Sequence, residues 1–97
     1  MYLITTTSND KEILIKIAKK LVEKEVSKCV QLSECNSFYK WDNKLNEALE
    51  YKLSIKSKNI KKVYKIIKKY HNYECFEFIY QEIKASKEYL DYLKEKK

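Results

Sequence analysis

The chain contains no glycine, no proline and no arginine. Without glycine there is no glycine-rich loop to cradle a phosphate, which excludes P-loop and dinucleotide-binding chemistry. Without arginine there is no planar guanidinium to hold phosphate or guanine through two parallel bonds, and lysine cannot reproduce that geometry. No apolar run approaches the ~20 residues that cross a bilayer, so no membrane partner is expected. The opening Met1-Tyr2-Leu3-Ile4-Thr5 has neither the basic region nor the small-residue cleavage site of a secretion signal, and the expected compartment is the cytoplasm. The three cysteines, Cys29, Cys35 and Cys75, are odd in number and form no CxxC pair. That argues against a disulfide framework and a zinc ribbon and leaves free, reduced thiols as the expectation.

Lysine is what the chain has in quantity: 21 of them against 14 acidic residues, for a formal charge of +7. Ten isoleucines, nine tyrosines and six asparagines accompany them, the residue usage of an AT-rich gene. The positive charge is therefore partly a coding bias, which weakens the step from a basic protein to a nucleic-acid partner. With arginine absent as well, nucleic acid is disfavoured. At 97 residues, 44% hydrophobic and 36% charged, the chain is one globular domain, 1–97, able to bury roughly 60–65% of its unfolded surface.

Residues Tyr2 to Thr7 read as a strand, and Ser8-Asn9-Asp10 offers side-chain oxygens for a helix cap, with Asn9 and Glu12 spaced as a capping box. Between Asp10 and Glu25, Ile13, Leu14, Ile17, Ala18, Leu21 and Val22 recur at the spacing of one helical face. Cys29–Trp41 is rich in strand formers, and Leu45–Lys56 alternates strictly, with Leu49, Tyr51, Leu53 and Ile55 on one side. Asp42-Asn43 between them is a two-residue hairpin turn in which asparagine tolerates positive φ. Both arms exceed the usual ~5–6 residues, so the hairpin should project and need cover from a neighbouring subunit. Ser57 is the expected cap of a second helix with Ile60, Val63, Ile67 and Tyr70 inward, its lysines forming a solvated face. Cys75–Ile83 reads as a last strand and Lys87–Glu95, capped by Ser86, as a terminal helix.

Strand, helix, strand, strand, helix, strand and a final helix make an α+β, ferredoxin-like split βαβ fold, an antiparallel sheet with both main helices on one face. Such a fold hosts many activities. An RNA-recognition version needs paired aromatics beside glycine on the third strand, where this chain has Glu47-Ala48-Leu49-Glu50-Tyr51-Lys52-Leu53. An acylphosphatase-like version needs an arginine. A soft-metal chaperone needs CxxC in the first loop, which here reads Thr7-Ser8-Asn9-Asp10.

Six segments in order, Thr6-Thr7 with Asp10, Cys29-Val30-Gln31-Leu32, Phe38-Tyr39-Lys40-Trp41-Asp42-Asn43-Lys44-Leu45, Ile55-Lys56-Ser57, His71-Asn72-Tyr73-Glu74 and Glu88-Tyr89-Leu90-Asp91-Tyr92, resemble the CutA divalent-cation tolerance family over nearly the whole chain. The family pattern has T-T-x-P-D, Y-W-W-E-G-K at the hairpin tip, I-K-T, H-P-Y-E and D-Y-L-x-W. Here Asn43 stands for its glycine, Asn9 and Asn72 for two prolines, and Phe76 for a third. Phe76, unlike proline, leaves an edge strand free to pair. The resemblance implies a homotrimer with a cleft between subunits lined by Tyr39, Trp41, Lys44, His71, Tyr73 and Glu74. Copper binding in the family is attributed to positions that are Thr6 and Tyr70 in this chain, so His71 alone is left as a weak Cu²⁺ ligand and no cofactor is required.

Three functions follow as expectations. The first is a CutA-like trimer that takes part in divalent-metal tolerance by binding an ion or small anion, without catalysis. The second is a small enzyme using His71 and Glu74 at the intersubunit cleft, against which stands the lack of any nucleophile with a converging base and orienting acid. The third, nucleic-acid binding through the lysine-rich helices, predicts steep salt dependence.

Overall fold

The computed structural model describes residues 1–95. Seven elements follow one another: β1 (Tyr2–Ser8), α1 (Lys11–Glu23), β2 (Cys29–Trp41), β3 (Lys44–Ser57), α2 (Ile60–Tyr70), β4 (Ile79–Glu82) and α3 (Lys87–Lys94). The sheet has the order β2-β3-β1-β4 with every pair antiparallel, as the split βαβ reading requires. Leu14, Ile17 and Leu21 of α1 and Val63 and Ile67 of α2 close over Ile4, Leu53 and Ile55 of the sheet, and all eight are fully buried. Each such side chain contributes about 1.5–3 kcal/mol over its exposed state.

Local chemistry explains where the boundaries fall. The Asp42-Asn43 turn holds φ of 52° and 60°, the left-handed pair a type I′ hairpin needs, and Trp41 faces Lys44 across it. Asp10, one residue later than Asn9, caps α1 by accepting from the Ile13 amide at 3.1 Å. Asn59, and not Ser57, caps α2 by accepting from the Lys62 amide. Ser57 lies too early, at the end of β3: its hydroxyl donates to the Val26 carbonyl at 2.7 Å, and its oxygen accepts from the Asn59 amide at 3.0 Å, ahead of the first helical residue. At the other end of α1 the Val26 and Glu25 amides reach back to the Leu21 and Val22 carbonyls. That is a Schellman closure, and it puts Glu25 at φ 58°, where glycine ordinarily sits.

Strand β4 is shorter than the 75–83 reading. The Thr7 carbonyl points toward the β4 edge, as that of Met1 does when it accepts from Ile83, but it accepts instead from the His71 ring at 2.9 Å. Pairing along β1 therefore stops at Thr5 with Ile79. Phe76 does not join the ladder: its ring stacks on His71 (4.9 Å, 18°), and both Phe76 and Phe78 pack against Tyr64. The hairpin does project, and the molecule measures 47 × 25 × 20 Å. Its outer half carries Phe38, Trp41, Leu45 and Leu49 at 66, 69, 80 and 52% exposure.

Candidate functional site

At the end of β1 the chain turns into α1, and the connector after α2 returns to the same spot. Hydrogen bonds sew the two together: the Ser8 hydroxyl donates to the Asn72 side-chain oxygen (2.6 Å), and the Asn72 amide donates to that of Asn9 (2.9 Å). These asparagines occupy the two positions where the family pattern has proline.

His71 sits at the centre. Its Nδ1 accepts from the Tyr73 amide at 3.0 Å, so Nε2 must carry the proton, which it donates to the Thr7 carbonyl. Neither nitrogen has a free lone pair. Burial holds the imidazole below its ordinary 6.5, although the Thr7 carbonyl and the Glu50 charge pull the other way. The Tyr73 hydroxyl donates to a Glu50 carboxylate oxygen at 2.7 Å and accepts from the Asn9 amide at 2.9 Å. Burial first, and then the bond to the Glu50 carboxylate, push the phenol from 10.0 up to about 12. The Tyr39 phenol is near enough to add to the rise.

One chain thus gathers Tyr39, His71 and Tyr73, together with Glu50 and the Ser8-Asn9-Asn72 turn, which the sequence reading left out of the site. The only sign of Glu50 was its place on the polar side of the alternating β3 segment, a position it shares with Lys52, Ser54 and Lys56. Trp41 and Lys44 stand at the hairpin tip, about six strand residues or roughly 20 Å beyond Glu50. Glu74 is exposed and makes no hydrogen bond among the described residues, and no bond joins it to His71.

The positions at which the resemblance expects copper ligands have other surroundings. Thr6 is fully buried and its hydroxyl has no hydrogen-bond partner among the described residues. The Tyr70 ring is covered by the ammonium groups of Lys16 and Lys69, at 4.8 and 5.4 Å. Cys29, Cys35 and Cys75 are all free thiols. Among the described residues no three His, Cys, Asp or Glu side chains converge on a common point that could hold a metal. A pocket of about 280 Å³ lies at the opposite end of the sheet, between Val26, Lys28, Ser57 and Tyr92, remote from this network.

Residues 2–96 match the family model of the CutA1 divalent ion tolerance protein. A divalent-cation tolerance protein CutA from Archaeoglobus fulgidus is 33% identical over 84 residues, which cover 82% of this chain and 81% of that protein. Among solved structures, CutA1 of the psychrotrophic Shewanella sp. SIB1 superposes with a TM-score of 0.88 at 33% identity, covering 96% of this chain and 91% of that one. The PII-like protein CutA from Nostoc sp. PCC 7120 in apo form gives 0.86 at 28% identity, covering 97% and 94%. With the split βαβ topology, the long hairpin and the His71-Asn72-Tyr73-Glu74 connector in place, the chain belongs to the CutA1 divalent ion tolerance family.

Proposed function

We propose that this chain acts in divalent ion tolerance as a non-catalytic homotrimer, with its ligand cleft between subunits. The observation that carries the proposal is the outer hairpin, where Phe38, Trp41, Leu45 and Leu49 are left uncovered by their own chain. Apolar side chains exposed on both faces of a projecting two-stranded ribbon, Phe38, Leu45 and Leu49 on one and Trp41 on the other, need a partner surface. In such an assembly the tip of a neighbour brings Trp41 and Lys44 to Tyr39, His71, Tyr73 and Glu74, and a divalent ion or small anion binds there. Both ring nitrogens of His71 are occupied and no hydrogen bond joins it to Glu74, which disfavours the pair as an acid–base couple. Three unpaired thiols fit a reducing cytoplasm.

Copper enters this reading as a weak ligand of His71, because an ion taking Nδ1 must displace the Tyr73 amide. Light scattering should return about three times 11.8 kDa; a monomer across the micromolar range overturns the trimer and the shared cleft. Calorimetry with Cu²⁺ is best done with Cys29, Cys35 and Cys75 replaced by serine, since Cu²⁺ oxidises exposed thiols. Adding His71→Ala to that background should abolish the weak binding; unchanged affinity would remove His71 as a ligand.

A further inference from the structure

The charge of this protein is segregated. Helix α2 carries Lys61, Lys62, Lys65, Lys68 and Lys69 and no acidic residue, and α1 adds four lysines against Glu12 and Glu23. Their surplus equals the +7 of the whole chain, so everything outside the two helices balances to zero. A coding bias toward lysine would raise the charge on every surface; it does not empty one helix of acids. Among the described residues none of these nine ammonium groups has a carboxylate within 4.0 Å, the ion pairs being Lys28–Glu95 and Lys87–Asp91 elsewhere. The arrangement also runs against helix physics. Lys61, Lys65 and Lys69 are like charges at successive i,i+4 spacings, and lysines rather than acids fill the first turn of α2. Some of these lysines lie over tyrosine rings, but none gains an anion among the described residues. A surface that breaks local rules without a neutralising partner is where an external anion is expected. The two helices also share one field, for Lys16 of α1 and Lys69 of α2 converge on the Tyr70 ring.

We infer that the outer face of α1 and α2 binds the phosphate backbone of double-helical nucleic acid without reading its sequence. A duplex presents one charge per ~1.7 Å of axis, the densest match to unpaired ammonium groups. The row Lys61, Lys65, Lys69 advances roughly 6 Å per step along α2, within reach of alternate phosphates. The missing arginine, which removes base readout, leaves the backbone contact intact, because lysine binds phosphate as a point charge. A bilayer fits less well. The apolar sides of both helices are spent on the core, leaving no apolar band to insert among headgroups.

The test is fluorescence anisotropy of a short mixed-sequence DNA duplex with the full chain, across a salt series. About four phosphate contacts predict an affinity that falls about 100-fold between ~50 and ~200 mM salt. The variant Lys61→Gln, Lys65→Gln, Lys69→Gln should bind at least about tenfold more weakly, with a salt slope shallower by about 0.9 per lysine removed. Glutamine preserves helix propensity, and circular dichroism verifies the fold. A charge-matched control, Lys40→Gln, Lys84→Gln, Lys94→Gln, should stay within about twofold of the parent. Equal losses in the two variants reduce the effect to net charge and overturn the assignment, as does absence of binding. Tighter capture by phosphatidylserine vesicles, or by polyglutamate, gives the face to a membrane or to an acidic protein instead and equally removes the duplex.

Discussion

The inner and outer halves of the β2–β3 hairpin carry the same kind of sequence and meet different fates. Leu53 and Ile55 lie under α1 and α2 and are fully buried, whereas Leu45 and Leu49, at the same period-two spacing on the same strand, stand 80 and 52% exposed. Alternation specifies a strand with an apolar side; the helices decide how much of that side is covered, and they end before the hairpin does. The outer half is therefore the part of the strand pair that its own helices leave uncovered, and in the proposed assembly another chain covers it.

The sharpest way to break this comparison is to truncate one leucine in each half. Leu53→Ala should cost about 2–5 kcal/mol in urea unfolding, the range for a fully buried leucine. Leu45→Ala should change the stability of the isolated chain by less than about 0.5 kcal/mol while lowering the mass seen by light scattering at micromolar concentration. Equal destabilisation by the two would mean that the tip folds back on its own chain. Next in size is Tyr73→Phe, which leaves the Asn9 amide and the Glu50 carboxylate without their shared hydroxyl and should cost about 1–3 kcal/mol.

Acid and alkali probe the inner region through two groups of opposite sign. The native His71 pKa lies below 6.5, so the unfolded chain binds more protons and stability is complete above pH 6.5 and falls as pH drops through the native value. Tyr73 titrates at about 12 in the native state against 10.0 unfolded, so its contribution is complete below pH 10.0 and is lost as pH rises toward 12. Urea midpoints should trace a plateau between these limits. His71→Phe should flatten the acid limb relative to the parent, and Tyr73→Phe the alkaline limb; an unaltered limb in either variant removes that group from the linkage. The smallest effect is a gain. Glu25→Gly relieves a left-handed residue in the closure of α1 and should stabilise by about 1 kcal/mol, read as a higher urea midpoint.

Sequence alone gave access to the topology because each element has its own signal: the helical stripe of Leu14, Ile17 and Leu21, the alternation of β3, and Asp42-Asn43 where positive φ was required. The errors lie where a side chain competes with the backbone. Ser57 has the right residue type for a cap, but its pairing in β3 and its bond to Val26 hold it in the sheet, so its oxygen takes the Asn59 amide and the cap falls two residues later. The first half of the expected last strand has strand-forming residues, yet His71 occupies the carbonyl that would have paired with it. In the site, His71 and Tyr73 were legible through the resemblance. Glu50 was not, because its link to Tyr73 spans 23 residues and nothing local marks it.

The Asn9–Asn72 bond has a consequence for how such a chain can change over time. The residues are 63 positions apart, yet neither can be replaced by the proline of the family pattern without cost to the other. Proline at 72 would strip the Ser8 hydroxyl and the Asn9 side chain of the group they face. Proline at 9 would remove both that side chain and the amide that donates to Tyr73. The two substitutions are epistatic: in a double-mutant cycle the pair should cost less than the sum of the singles. Two positions 63 residues apart are thus mutually dependent, and each restricts which residues the other can accept.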